Sequence, residues 1–525
     1  MRLRPKFAGL VIFVLAYALA AVFVLRRTVR EAVSDRIVLR VSQWQLEGGV
    51  RQAFEAMARR YEQLNPRVRV VTISIPDTLY QQWAKTQLVG ENGPDVVEYG
   101  TDFHDVPRFF APITDEVMKP NPYNRGTPLE QVPWRDTFLD AMANPDGFNT
   151  QLNQYYAPTL TQHSMRLIYN RPMLRAITGA EEPPRNYREF VALCDRVRAY
   201  AREHKLLLAP LANSKDTVIG VAGYVFDAAA SGLAARLDRR RTLVLASTDL
   251  GIGYLRGEWN FHAPEARIGF ELLENLGANS MPGFLQLTRD APLTDFVRQR
   301  ALMIIAPSWE ASSLKEICNF ELGAFRYPVP LQDDPVYGRH MLGPYSDGKM
   351  ITMMAMYINR TSRHRREALD FLHFITSVEG NQIFTDVSTW LPAISGVKAS
   401  DYSRQFLPFY EGYSWGVGFM NLSGVDTTTY IRNRYYLLWG PTGSAQAYAD
   451  ALDRDLPPRV RTDFTREVST QLRNLIREDS AAAAARLLAG PEAAGAAVPL
   501  LPALLEGRTY QLIDALREAR AKETP

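Results

Sequence analysis

Cysteine is nearly missing from this chain: Cys194 and Cys318 are the only two in 525 residues. A pair so far apart supports neither a metal knuckle nor a disulfide framework. Cys194 falls on the apolar side of one predicted helix and Cys318 near the end of another, so both read as small buried hydrophobes, with a single disulfide as the alternative. Histidine is scarce as well. Its seven copies are dispersed, with no Cys/His cluster, no HExxH and no G-x-S-x-G nearby, which removes the usual zinc and serine-hydrolase signatures. No metal and no cofactor are expected. An excess of one charge is also lacking, since 60 Lys and Arg face 57 Asp and Glu for a formal net charge of +3. Without a long basic run, nothing asks for nucleic acid. One near-motif fails on its chemistry. Gly343-Pro-Tyr-Ser-Asp-Gly348-Lys349-Met350 has phosphate-loop spacing, but Met350 replaces the magnesium-binding hydroxyl, and a strand follows where a helix must begin.

What is present describes an ordinary globular body, 46% hydrophobic and 22% charged, long enough for two or three cores. Its amino terminus departs from that picture. Phe7 to Leu25 is an uncharged, mostly aliphatic run flanked by Arg2, Arg4 and Lys6 on one side and Arg26, Arg27 and Arg30 on the other. Such a run can span a bilayer. The apolar stretch continues past its small-residue sites, which favours an uncleaved anchor over a removed signal peptide. In either case the body is expected outside the cytoplasm. No cysteine follows the run, which excludes lipid attachment there.

The body opens with a strand at Ile37 to Val41, a loop from Trp44 to Gly49, and a helix whose Val50, Ala53, Phe54, Met57, Ala58, Tyr61 and Leu64 share a face. Asn65-Pro66 stops that helix. A second strand at Val68 to Ile75, a second helix, and a short strand at Val96-Val97 complete β-α-β-α-β, the pattern of a parallel sheet. Around this last strand, Gly93-Pro94 and Gly100 deliver Tyr99 and Asp102 to a strand's carboxyl end, where open α/β sheets bind ligands. An aromatic face beside a carboxylate suits a polar ligand with an apolar side, such as a sugar ring. Asp95 is assigned a local job in the turn. Further on, a helix bears Phe190, Cys194, Val197 and Ala201, Leu206 to Pro210 reads as a strand, and a buried strand ends at Trp309. The placement of Trp309 repeats that of Trp44 and Tyr99. Met350 to Ile358 is another strand, Arg365 to Thr376 a helix, and the chain is helical from about Thr465 onward.

In this order the elements resemble an extracellular solute-binding protein of the maltose-binding-protein-like group, which serves ABC importers. The resemblance spans Val38 to Ala393 and rests on the Trp44 to Gly49 loop, Asn65-Pro66, Gly93-Pro94-Asp95, Leu167-Ile-Tyr169-Asn170, Pro184-x-x-Tyr187-x-x-Phe190, the strand ending at Trp309, Tyr327-Pro328, the helix Glu367 to Phe374, and Leu391-Pro392. It implies an α/β, bilobed type II periplasmic-binding-protein fold, two parallel or mixed-sheet lobes joined by hinge crossovers and closing on a ligand between them. The divisions expected are 1–32 for the anchor, 36–157 and 327–376 for the first lobe, 158–326 and 377–490 for the second, and 491–525 for a helical tail. By position, Tyr99 stands where relatives use a Trp, Asp102 matches a ligand-contacting Asp, and Trp309 matches a stacking Trp. His163 falls after the first crossover, where a polar contact is common, and Glu47 lies in the contact loop with Trp44. Trp415 is added as a further stacking residue where the match thins.

Each assignment has a plainer alternative: core aromatics for Tyr99, Trp309 and Trp44, and surface charges or caps for Asp102 and Glu47. The expectation is a monomeric, non-enzymatic protein that captures a carbohydrate and delivers it to ABC permease subunits, facing the periplasm from its anchor. Two alternatives share these residues. One is an anchored glycoside hydrolase using carboxylates such as Glu47, Glu98 and Asp102, and the other is the ligand-binding partner of a membrane sensor.

Overall fold

The strand Ile37–Gln43 lies one in from the edge of a sheet and both its neighbours pair with it in parallel: the edge strand Val68–Ser74 on one side, in register from Ile37↔Val68, and Val96–Glu98 on the other, with Val41 opposite Val96. The computed structural model describes residues 36–100, 106–149, 153–238, 241, 245, 247–347, 352–414, 416–470, 472–473 and 500–521. The expected membrane segment (residues 7–25), Asp102 and Trp415 lie outside the described residues.

The chain divides into two units. The first takes the described residues up to Leu160, then Met353–Ser388 and Pro392–Lys398. Its sheet is mixed, since Thr352–Ile358 joins Val96–Glu98 in the antiparallel sense, and Thr159–Gln162 and Leu391–Pro392 extend it, with the chain leaving the unit inside those strands. The helix Val50–Leu64 buries Val50, Ala53, Phe54, Met57, Ala58 and Tyr61, the face its spacing predicts. Gly49 begins this helix at φ 84°, and a Cβ there would stand 2.6 Å from the Val387 carbonyl oxygen, so both conformation and space demand glycine. Tyr61 meets Phe371 and Phe374 of the helix Arg365–Ile375 at 5.1 and 5.6 Å between ring centroids. Asp95, expected to bond amides within its own turn, instead ties distant segments together: its carboxylate accepts from the Arg40 amide of the neighbouring strand (2.8 Å) and the Ser362 hydroxyl (2.7 Å).

In the second unit, Met165–Asn170 is central and antiparallel to both Leu322–Phe325 and Ala301–Pro307, while Ala209–Ala212 adds in parallel to Ala301–Pro307. The strand expected at 206–210 starts three residues later. Leu207 is 81% exposed on a turn whose Lys205 has φ 53°, so the apolar run precedes the sheet instead of entering it. Helices Lys215–Leu237 and Pro264–Ala278 pack together around Phe226, Phe270 and Phe419. Among the described residues, Lys215–Leu237 is the helix long and apolar enough to cross a membrane. Two-thirds of its most apolar window is buried in this core, the behaviour of an internal helix.

Two domain boundaries differ from the expected ones. Residues 327–352 stay with the second unit because Tyr327, Val329, Met341 and Tyr345 are buried in its core. Residues 377–388 and 392–398 belong to the first, where Phe384 packs edge-on against Phe54. The terminal helix Leu500–Ala521 is held on the helix Ser247–Arg256 through buried Leu512 and Ala515 and an Arg256–Glu518 ion pair at 2.9 Å. Both cysteines are free thiols, Cys194 fully buried and Cys318 half-buried.

Candidate functional site

In the first unit, the loop after Ile37–Gln43 is anchored by a buried acid. Glu98 ends the strand Val96–Glu98 with no exposed surface, and its two oxygens accept from the Trp44 amide (3.1 Å) and Gln45 Nε2 (2.7 Å). Burial raises its pKa to about 8; the two donors pull against that rise, and the charge of Glu47 adds to it. Trp44 is half-buried, tilted against Tyr80 at 5.1 Å, and the Tyr80 hydroxyl meets Ser42 Oγ at 2.8 Å. Glu47, half-buried, sits one turn before the helix and accepts the Val50 amide through its carbonyl.

Tyr99 is placed differently from its assignment. The ladder continues past Glu98, with the Tyr99 amide donating to Ala355 O, so the side chain remains inside the unit. It is 4% exposed, with Phe110 and Tyr357 in edge contact at 5.1 and 6.4 Å. A ring so enclosed has no open face for a sugar.

The second unit brings two assigned residues together. Trp309 follows the strand Ala301–Pro307 and precedes the helix Glu310–Ile317, while His163 precedes the antiparallel strand Met165–Asn170. The register Met165↔Pro307 puts these two loops side by side, tied by Ser308 N to Ser164 O at 2.8 Å. The rings stand 5.5 Å apart, tilted by 56°. His163 Nδ1 is buried with no hydrogen-bond partner among the described residues. Burial lowers its pKa to about 4, so the ring is neutral at neutral pH and offers one donor and one acceptor. Next to it, Gln162 accepts a hydrogen bond from the hydroxyl of Tyr410, whose side chain is 48% exposed. Sequence reading missed Tyr410 and Gln162. The Phe409-Tyr-Glu-Gly-Tyr413 stretch sets aromatic residues beside a glycine, a signal by which Tyr410 could have been found.

Two mixed sheets, each ending in loops that carry aromatic rings beside polar groups, define a binding protein built on two α/β lobes. Solved structures share this architecture: the apo-form of RafE from Streptococcus pneumoniae (17% identity, 81% of this chain and 99% of that chain, TM-score 0.55), the solute receptor AcbH (16%, 81% and 98%, 0.55), and a chitin oligosaccharide binding protein (14%, 80% and 98%, 0.54). The fold is the bilobed type II periplasmic-binding-protein fold. No curated sequence matches the chain significantly. The chain belongs to the bacterial extracellular solute-binding protein family, whose model matches residues 56–405.

Proposed function

We propose that this protein captures a carbohydrate outside the cytoplasmic membrane and passes it to the permease of an ABC importer. The observation that carries the reading is the pairing of Trp309 with a neutral His163 whose buried Nδ1 has no hydrogen-bond partner among the described residues, in a solute-binding fold. Trp309 offers a flat apolar face, and His163, Gln162 and Tyr410 supply donors and acceptors for hydroxyls, the combination a pyranose ring requires. In the first lobe, Trp44 and Glu47, on the loop held by the Glu98 anchor, remain candidates for ligand contact. Asp102 and Trp415 remain candidates from sequence. The structural neighbours point the same way: RafE was solved in complex with raffinose (17% identity, 80% of this chain and 100% of that chain, TM-score 0.52), and AcbH is described as preferring β-D-galactopyranose.

The protein acts by closure and not by turnover. Ligand shifts the lobes toward the closed state only by its higher affinity for that state, and the closed form is what the permease reads. Glu98, the acid whose pKa suits a glycosidase proton donor, has no surface for substrate to reach. Residues 7–25 keep the monomer tethered to the membrane. The test is a thermal-shift and calorimetric screen against monosaccharides, raffinose and oligomers of chitin and xylan. Saturable binding with unchanged sugar supports the reading. A screen without any binder, or hydrolysis of the sugar, ends it.

A further inference from the structure

One face of the long apolar helix Lys215–Leu237 is unlike the rest of it: Gly220, Gly223, Tyr224 and Asp227 recur at i, i+3, i+4 and i+7. Two glycines inside a helix weaken it and leave a gap beneath it. Here the gap is a cavity of about 250 Å³ lying entirely within the second unit, between this helix and the strands bearing Leu167 and Ile305. Its walls are mostly apolar, with Met165, Ile219 and Met420 among them, yet buried charge enters at one end. There Arg166 pairs with Asp347 at 2.9 Å, and Asp347 also accepts the Phe409 amide. Arg326 is held differently. Its guanidinium lies over the rings of Phe409 and Tyr224, 4.4 and 5.2 Å from their centroids, which fixes its plane. Its Nε and Nη2 are buried with no hydrogen-bond partner among the described residues, and Asp347 Oδ1 stands 3.6 Å from Nε, beyond hydrogen-bond reach. The hydroxyls of Tyr224 and Tyr327, both lining the cavity, are likewise buried without a partner.

We propose that this cavity is a second binding site, taking a small carboxylate with an apolar body. Nε and Nη2 form the edge of a guanidinium that receives a carboxylate through two parallel hydrogen bonds, and two stacked rings already hold that edge in place. The Tyr327 hydroxyl adds a third donor, and the glycine-lined gap takes the apolar body. Sulfonate fits less well because the fork matches a planar two-oxygen group, and phosphate less well again because Asp227 and Asp347 oppose a second negative charge.

The test is isothermal titration of the purified full-length chain with benzoate and 4-phenylbutyrate, with benzyl alcohol as the neutral control. Saturable binding of a carboxylate is expected, weakened about tenfold or more by Arg326→Gln. Gly223→Leu, which pushes a side chain past the flexible end of Met420, is expected to abolish it with the melting temperature of the parent chain retained. Tyr327→Phe keeps the shape of the site and is expected to weaken binding severalfold relative to the parent chain, a readout that stands even where Arg326→Gln is poorly folded. No carboxylate binding at millimolar concentration, equal binding of benzyl alcohol, or affinity unchanged in Gly223→Leu overturns the proposal. Ser164, the neighbour of His163, also lines the cavity, so carbohydrate titration of Gly223→Leu is run alongside: lost carboxylate binding with a parental carbohydrate response is expected and separates this site from the carbohydrate reading, whereas loss of both together overturns a second site.

Discussion

Replacing Glu98 by Gln tests whether a buried acid holds the Trp44 loop. Burial sets the Glu98 pKa at about 8 against an ordinary 4.5, so between those values the folded protein keeps a proton that the unfolded chain has released. Stability therefore falls as pH rises through that window and levels off above it. At about 1.4 kcal/mol per pK unit, the whole span bounds the loss at roughly 5 kcal/mol. Glu98→Gln removes this dependence at a cost, because its amide turns an NH2 toward one of the two donors, Trp44 N or Gln45 Nε2, and a mismatched buried group costs about 1–3 kcal/mol. The variant is expected to be less stable than the parent at pH 5, with the deficit shrinking and then reversing toward pH 8. Thermal or urea unfolding of both proteins across that range measures it. His163 and His373, lowered by burial to about 4, lose stability as pH falls below their ordinary 6.5, in parent and variant alike, so the difference between the two isolates Glu98. Parallel pH profiles for the two proteins refute the reasoning.

Trp309→Ala is expected to weaken carbohydrate binding by about 1–3 kcal/mol in calorimetry, whereas Tyr99→Phe leaves affinity unchanged; equal affinities for parent and Trp309→Ala remove the stacking assignment. Gly49→Ala meets both a positive φ and the Val387 carbonyl, and a loss of about 1–3 kcal/mol is expected on urea unfolding, with no loss arguing against the close approach. Cys194, buried and with its thiol pushed up to about 12, is expected to resist alkylation at neutral pH until the protein unfolds, while half-buried Cys318 reacts sooner; the reverse order by mass spectrometry contradicts their placement.

The first unit was legible because its helices carry one apolar stripe each and stop at breakers, the first at Asn65-Pro66 and the second at Gly90, just ahead of the expected Gly93-Pro94, so periodicity and breakers reported the true elements. The second unit resisted the same treatment between residues 211 and 295. Lys215–Leu237 is apolar nearly all round, with Ala228, Ala230, Ser231 and Ala234 buried beside the stripe of Val218, Val221, Ala222, Val225 and Ala229, and a helix enclosed on all sides loses the stripe that periodicity looks for. The boundary near 327 was misplaced for a related reason. Tyr327-Pro328 reads locally as a break, and nothing local shows that Tyr327 packs edge-on against Phe190, 137 residues earlier in the chain.

Strand ends explain why Trp309 and Tyr99 are placed so differently. Side chains within a buried strand are committed to packing, so rings free to meet a ligand must leave the sheet, and Trp309 does so because Ala301–Pro307 ends two residues before it. Tyr99 also follows a strand, but Thr352–Ile358 runs alongside and prolongs the ladder by one residue, which keeps the ring among Phe110 and Tyr357. His163 shows the converse. It precedes its strand, and only the antiparallel pairing of Met165–Asn170 with Ala301–Pro307 turns that start into the neighbour of the Trp309 strand's end. Strand direction and length decide which residues can meet a ligand, and both are set by partners far away in sequence.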